Sequence, residues 1–212
     1  MKSYRPVFYL SIFTILISSC NVSVNRSIHI NDGETVRRSL NSVNGSIHIG
    51  KDCVIKSGCR SVNGRIEIGS NSKVEDLNTV NNRISVGKDV IVKGDIYSVN
   101  GSVQCRSGVE VKGDIATVNG SIDLEKTKVF YDISTFNGDI TLTDNSLVDG
   151  DIFIKDNKGR SNRDRPLKIS VEGGSTVEGD IIVKADDIEV IVSLTGGGRV
   201  LGKIKGAEVI KE

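Results

Sequence analysis

The sequence has no tryptophan, aromatic residues make up 4% of it, and it holds two histidines among 212 residues. A core of large rings is therefore excluded, and apolar volume must come from small branched side chains, with Val, Ile, Gly and Asn plentiful. Charge of one sign is lacking too: 28 Lys and Arg stand against 27 Asp and Glu, and without Lys2 and Arg5 the balance is 26 to 27. That is no electrostatic footprint for nucleic acid. The apolar run from Val7 to Ile17 is too short to span a membrane as a helix, which takes about 20 residues. Patterns that carry catalysis are missing as well. There is no Ser/His/Asp arrangement, no Cys/His pair in a nucleophile context, no phosphate loop, and no strict six-residue period of a hexapeptide acyltransferase.

What the sequence does have is one phrase repeated with little change. It reads Ser42-Val43-Asn44-Gly45-Ser46-Ile47-His48-Ile49, then Ser61-Val62-Asn63-Gly64-Arg65-Ile66-Glu67-Ile68, and onward. Its asparagine falls at Asn25, Asn44, Asn63, Asn81, Asn100, Asn119 and Asn137, with gaps of 19, 19, 18, 19, 19 and 18 residues. A fixed period of this size marks an array whose rungs bury their apolar faces only by stacking on one another.

Period-two alternation follows each asparagine. Ile28, Ile47, Ile66, Ile84, Val103, Ile122 and Ile140 form one column, and Ile30, Ile49, Ile68, Val86, Cys105, Leu124 and Leu142 another. The residues between them, from His29 and His48 to Thr141, are all polar, so these are strands with one face outward. Further apolar columns run through Val24, Val43, Val62, Val80, Val99, Val118 and Phe136, through Leu40, Cys59, Leu77, Ile96, Ile115 and Ile133, and through Val36, Ile55, Val92 and Val111. Each turn thus supplies short strands to several faces of one core. The expected fold is all-β: a single-stranded parallel β-helix, or β-solenoid, of about nine coils of 18–19 residues, right-handed by expectation. At about 4.8 Å per coil the rod is roughly 40 Å long.

Stacked asparagine amides can bond to one another along such an axis, so the seven asparagines are expected to form a structural ladder at a corner. The glycine after most of them is expected to serve that corner by tolerating positive φ. Arg26 stands in its place in the first coil. A second corner phrase, Val92-Lys93-Gly94-Asp95-Ile96, recurs at Val111–Ile115, Val148–Ile152 and Val177–Ile181.

The segments divide as follows. Residues 1–20 have the basic start, apolar centre and small residues of a secretory signal, and Ile17-Ser18-Ser19-Cys20 resembles the lipobox of bacterial lipoproteins. The resemblance implies lipidation of Cys20 and a membrane anchor. Residues 23–157 are the regular repeats, 158–165 a basic loop insertion, and 166–212 irregular C-terminal coils and a cap.

Several polar columns are candidate chemistry. Asp76, Asp95, Asp114, Asp132 and Asp151 bring like charges to coil spacing; capping of turn amides, with Lys93 and Lys112 screening, is favoured over a calcium row. His29, His48 and Glu67 share one outward column, where exposed residues are favoured over a zinc site. Cys53, Cys59 and Cys105 replace Val, Ile or Leu in inward columns and are expected to be buried thiols, Cys53 with Cys59 being the only pair within one coil. The Ser23, Ser42, Ser61, Thr79, Ser98, Thr117 and Thr135 column is read as outward, and an ice-binding face is disfavoured. No cofactor, metal or catalytic residue is expected.

The Ser/Thr-Val-Asn-Gly and Val-x-Gly-Asp-Ile phrases resemble the polymer-forming, bactofilin-like β-helix proteins of bacteria, over most of residues 23–205. The resemblance implies assembly into envelope-associated scaffolds, although those proteins are mostly cytoplasmic and this chain carries an export signal. The expected function is that of a non-enzymatic, lipid-anchored cell-envelope protein that binds itself or a cell-wall or surface polymer. Its place is the outer membrane in preference to the inner, since Asn21 follows the anchor. The competing class is a polysaccharide lyase or hydrolase on a β-helix. That class needs loops from several coils, and the sequence offers one.

Overall fold

The computed structural model describes residues 22–156, 165–185 and 188–212. Residues 1–20, read above as a secretory signal ending at Cys20, and the 158–165 stretch apart from Arg165, lie outside the described residues. The described chain is a β-solenoid of about nine turns, built from three parallel sheets and no helix. Two sheets have ten strands and the third has nine, and each strand pairs with its equivalents one coil before and after.

The faces follow the apolar columns. The first sheet contains Leu40–Ser42, Leu77–Thr79, Ile96–Ser98 and Ile152–Ile154. The second contains Ile47–Ile49, Ile84–Val86, Val103–Cys105 and Val190–Leu194. The third is made of two-residue strands such as Val54–Ile55, Ile91–Val92 and Glu110–Val111. Register puts like on like: Leu77 faces Ile96, Ile84 faces Val103, and Val92 faces Val111. β-Branched side chains on a pleated surface favour this extended backbone. Ile47, Ile66, Leu77, Ile96, Ile115 and Ile133 have no exposed surface, and each contributes about 1.5–3 kcal/mol by burial.

One column departs from the sequence reading. Ser42, Ser61, Thr79, Ser98, Thr117 and Thr135 are buried, between 0 and 3% exposed, whereas the valines that follow them are only half-buried and Val24 is 57% exposed. The hydroxyls serve the corner. Ser61 Oγ accepts from the Gly64 amide at 3.0 Å and donates to the Gly45 carbonyl of the preceding coil at 3.2 Å. The same pairing recurs from Ser42, Ser98 and Thr135 to the glycine amide three residues on. A tight turn leaves backbone groups without ladder partners, and inside a dry core a hydroxyl is the smallest group that satisfies them. An outward hydroxyl face of the ice-binding kind does not exist here.

The asparagine-corner glycines are also there for a different reason from the one expected. None has positive φ; apart from Asn25 in the first coil, left-handed backbone in these coils occurs at the next corner, at Gly33, Asp52, Asn71, Asp89, Gly108, Lys126 and Asn145. The asparagine corner needs glycine because successive coils touch. A Cβ on Gly64 would lie 2.0 Å from the Gly45 carbonyl oxygen, and one on Gly101 would lie 1.8 Å from that of Asn82. Arg26 has no earlier coil at this corner among the described residues, which removes the constraint.

Candidate functional site

Two polar ladders run along the rod. In the first, each asparagine Nδ2 donates to the Oδ1 of the asparagine one coil earlier. The chain of bonds passes from Asn44 to Asn25 (2.5 Å), Asn63 to Asn44 (2.8 Å), Asn81 to Asn63 (2.7 Å), Asn100 to Asn81 (3.0 Å), Asn119 to Asn100 (2.9 Å) and Asn137 to Asn119 (3.3 Å). Their donors and acceptors are turned toward one another along the axis, so the row fixes coil spacing. Among the described residues the row runs as far as Asn137; beyond it Ile140 pairs with Ile169, 29 residues on. The Asp139 carboxylate bonds Arg165 at 2.5 Å and the Lys168 amide at 3.1 Å.

The second ladder is the aspartate column. Asp76 Oδ1 accepts the Asp95 amide at 3.1 Å, Asp95 that of Asp114 at 2.9 Å, Asp114 that of Asp132 at 3.0 Å, and Asp132 that of Asp151 at 2.8 Å. Asp151 and Asp180 continue the row, to the Asp180 and Lys203 amides, both at 2.7 Å. This explains the Val-x-Gly-Asp-Ile phrase. The carboxylate needs the space over the next coil's glycine, where a Cβ on Gly113 would lie 2.2 Å from Asp95 Oδ1. Burial, the largest cause, pushes the Asp114 carboxyl above the usual range, and Asp132 and Asp95 add to it against the Asp132 amide and Lys155. Asp180 goes the other way, held low by the Lys203 amide and Lys205. The lysines expected to screen the column are engaged elsewhere, Lys93 with Glu75 at 3.1 Å and Lys112 with Glu110 at 2.7 Å.

The histidines are brought together. His29 and His48 stack with centroids 4.8 Å apart and planes 9° apart, and His48 Nδ1 meets Glu67 Oε2 at 2.6 Å. Rings stacked in parallel at coil spacing aim their nitrogen lone pairs side by side. A zinc ion needs them to converge to about 2.0–2.1 Å from one point. Among the described residues no group of three or more His, Cys, Asp and Glu is placed to hold a metal. His29, Asn31, Asp32, His48 and Gly50 line a shallow depression of about 590 Å³, open to solvent on the rod's side.

Cys53, Cys59 and Cys105 are buried and free, and burial pushes the Cys59 and Cys105 thiols up to about 12. At that value a thiol is neither nucleophile nor ligand at neutral pH.

Two features were not foreseen from the sequence. Phe130 lies under two ammonium groups, Lys112 Nζ at 3.6 Å and Lys128 Nζ at 4.5 Å from its ring centre. The first two coils also carry an exposed group of cations at the corner between the third and first sheets, Arg37, Arg38, Lys56 and Arg60. The Arg37-Arg38 dipeptide was its only sequence signal.

Among the described residues no helix is long and apolar enough to cross a membrane. No family model, no curated protein and no solved structure matches the chain.

Proposed function

We propose that the chain is a non-enzymatic structural and binding protein of the bacterial cell envelope, anchored by a lipid on Cys20, with the solenoid as its scaffold. Support for the anchor is the Ile17-Ser18-Ser19-Cys20 quartet behind a basic and apolar leader. Support for assembly is the β-solenoid itself, which is compatible with the bactofilin-like repeat proteins. The observation that carries the reading is the strand edge at the C-terminal end of the rod. Among the described residues Glu208–Lys211 pairs with Val190–Leu194 alone and is exposed along its length, with Val209 38% and Ile210 40% exposed. An edge of this kind is a template for another strand, and a second copy of the chain is the partner it suits. Cell-wall or surface polymer is the other partner class, met by the polar outer columns.

The test is sedimentation velocity of the unacylated mature protein over a range of concentrations, together with pull-down on isolated cell-wall glycan. Oligomers that grow with concentration and dissociate when Val209 and Ile210 are replaced by lysine are expected. A protein that stays monomeric and binds no envelope polymer overturns the proposal.

A further inference from the structure

Charge is divided unevenly along the rod. Residues 22–66 carry seven Lys and Arg against three Asp and Glu, whereas residues 67–212 carry nineteen against twenty-four. In the later coils four of the cations along the third sheet and its corner are matched, with Lys73 and Arg199 as isolated exceptions. Lys93 pairs with Glu75 (3.1 Å), Lys112 with Glu110 (2.7 Å), Lys128 with Asp149 (3.1 Å) and Lys205 with Asp180 (2.8 Å). In the first two coils they are not. Arg37 and Lys56 share one column, since Val36 faces Ile55 in register and the Lys56 amide bonds the Val36 carbonyl at 2.8 Å. Arg38 follows Arg37, and Arg60 stands beyond Asn41 on the outer face of the first sheet. All four are exposed, and no carboxylate among the described residues pairs with them.

We propose that this corner is a docking surface for an anionic membrane, with lipid headgroup phosphates as the groups it takes. Three of the four side chains are guanidinium groups, whose fork of donors fits phosphate oxygens. All four side chains are exposed and none lines the depressions at His29–Gly50 or Gln104–Asp144, so they suit a sheet of charge more than a single small ligand. Their position along the rod adds to this. Surface electrostatics decay over about 8 Å at physiological salt, which is less than two coil spacings of about 4.8 Å. Only cations in the first coils can feel a membrane at that end, and it is there that four unmatched ones cluster at one corner. The acidic remainder of the rod is repelled from the same surface, so the charge pattern also sets which way it points. Placing the membrane at this end rests on the reading of Cys20 as the anchor; the charge pattern does not.

The experiment uses the mature chain with Cys20→Ser, exported through a cleavable signal so that it carries neither leader nor acyl group. Co-sedimentation is measured with phosphatidylcholine vesicles with and without phosphatidylglycerol, at low and high salt. Binding is expected only with phosphatidylglycerol and to fall with salt. Removing a cation is worth about fivefold, so R37E/R38E/K56E/R60E lowers affinity by at least about 10²-fold. A control with equal charge change in later coils, K88E/K126E/K155E/R199E, stays within about threefold, and matching thermal melts establish that both variants fold. Equal losses in the two variants, salt-independent binding, or binding to soluble polyphosphate without binding to vesicles overturns the proposal. Acylation of Cys20 is read separately, by mass, in the wild-type protein extracted from membranes. Its failure removes the anchor and leaves the vesicle result standing.

Discussion

Replacing Gly101 by alanine tests the contact that sets the asparagine corner. The new methyl carbon would lie 1.8 Å from the Asn82 carbonyl oxygen of the preceding coil. Carbon and oxygen approach to about 3.3 Å at closest, so the corner must open by roughly 1.5 Å, about a third of the coil spacing. An opening of that size breaks the bond from the Asn100 amide to Val80 (2.7 Å) and that from Asn100 Nδ2 to Asn81 (3.0 Å), and it distorts the Gly101 amide's bond to Ser98 Oγ (3.0 Å). At about 1 kcal/mol for each bond, with more for the buried one, the expected loss is about 2–4 kcal/mol. The matched control is Gly58→Ala. There the nearest atom is the Asp76 carbonyl oxygen at 3.6 Å and φ is not left-handed, so a more restricted unfolded chain gives a gain of about 0.4–1 kcal/mol. Urea unfolding followed by far-ultraviolet circular dichroism compares the two. The slopes are compared as well as the midpoints, because a repeat array can lose coils one at a time. The coil with Asn82 in the glycine position shows that the corner yields there. If it is that soft throughout, Gly101→Ala falls within about 0.5 kcal/mol of wild type and the close-contact account is wrong.

Ser61→Ala is expected to cost more than Asn63→Ala, about 2–3 against about 1 kcal/mol by the same unfolding assay, because Ser61 leaves a buried amide and a buried carbonyl unpaired whereas water replaces the exposed asparagine. Asp114 has a raised carboxyl pKa, so the folded state holds its proton more tightly than the unfolded chain. Its contribution is fully present below the unfolded value of 3.8 and is lost as pH rises through the higher folded value, so Asp114→Asn is expected to stabilise at pH 7 and not at pH 3. Asp180 has the opposite sign. Its contribution is present above 3.8 and lost as pH falls through the lower folded value, so Asp180→Asn is expected to destabilise at pH 7 and to converge on wild type in acid; parallel shifts of the two variants across pH would contradict both assignments. Thiol titration of the mature chain with Cys20→Ser at pH 8 is expected to find no fast-reacting group in the folded protein and three after denaturation, whereas one after denaturation would mean that Cys53 and Cys59 are joined.

The strands were legible because period two survives inside them: Ile84, Ser85 and Val86 alternate in, out, in, as do their equivalents from Ile47–Ile49 to Val190–Leu194. The corners were not, because a corner resets the phase. Counted backward from Ile47 in steps of two, Val43 faces in and Ser42 out. Counted forward from Leu40, Ser42 faces in, and this second count is right since Leu40–Ser42 is one strand. Hydrophobicity argued for the wrong count because it takes no account of an orphaned amide, and the Gly45 amide needs Ser42 Oγ more than the core needs another methyl group. The role of glycine was hidden for a related reason. A sequence shows φ preferences of one residue, while the constraint at Gly64 comes from a carbonyl nineteen residues earlier.

The same limit applies to the functional surfaces. Asparagine, aspartate and serine repeat visibly, and in the structure all three are consumed by coil-to-coil bonds. Arg38 and Arg60 have no cation in the equivalent place of the next coil, and Arg37 and Lys56 stand in the column of Lys93 and Lys112 without the carboxylate those two have; all four were passed over. An array stabilised by repetition has its partner-specific chemistry where repetition fails, since a residue needed by the stack must recur and a residue that does not recur is free to serve something else. On this argument the departures from the period are the positions to mutate first: the unmatched cations of the first coils, Tyr131 in the column otherwise held by glycine at Gly113 and Gly150, and the exposed edge at Glu208–Lys211.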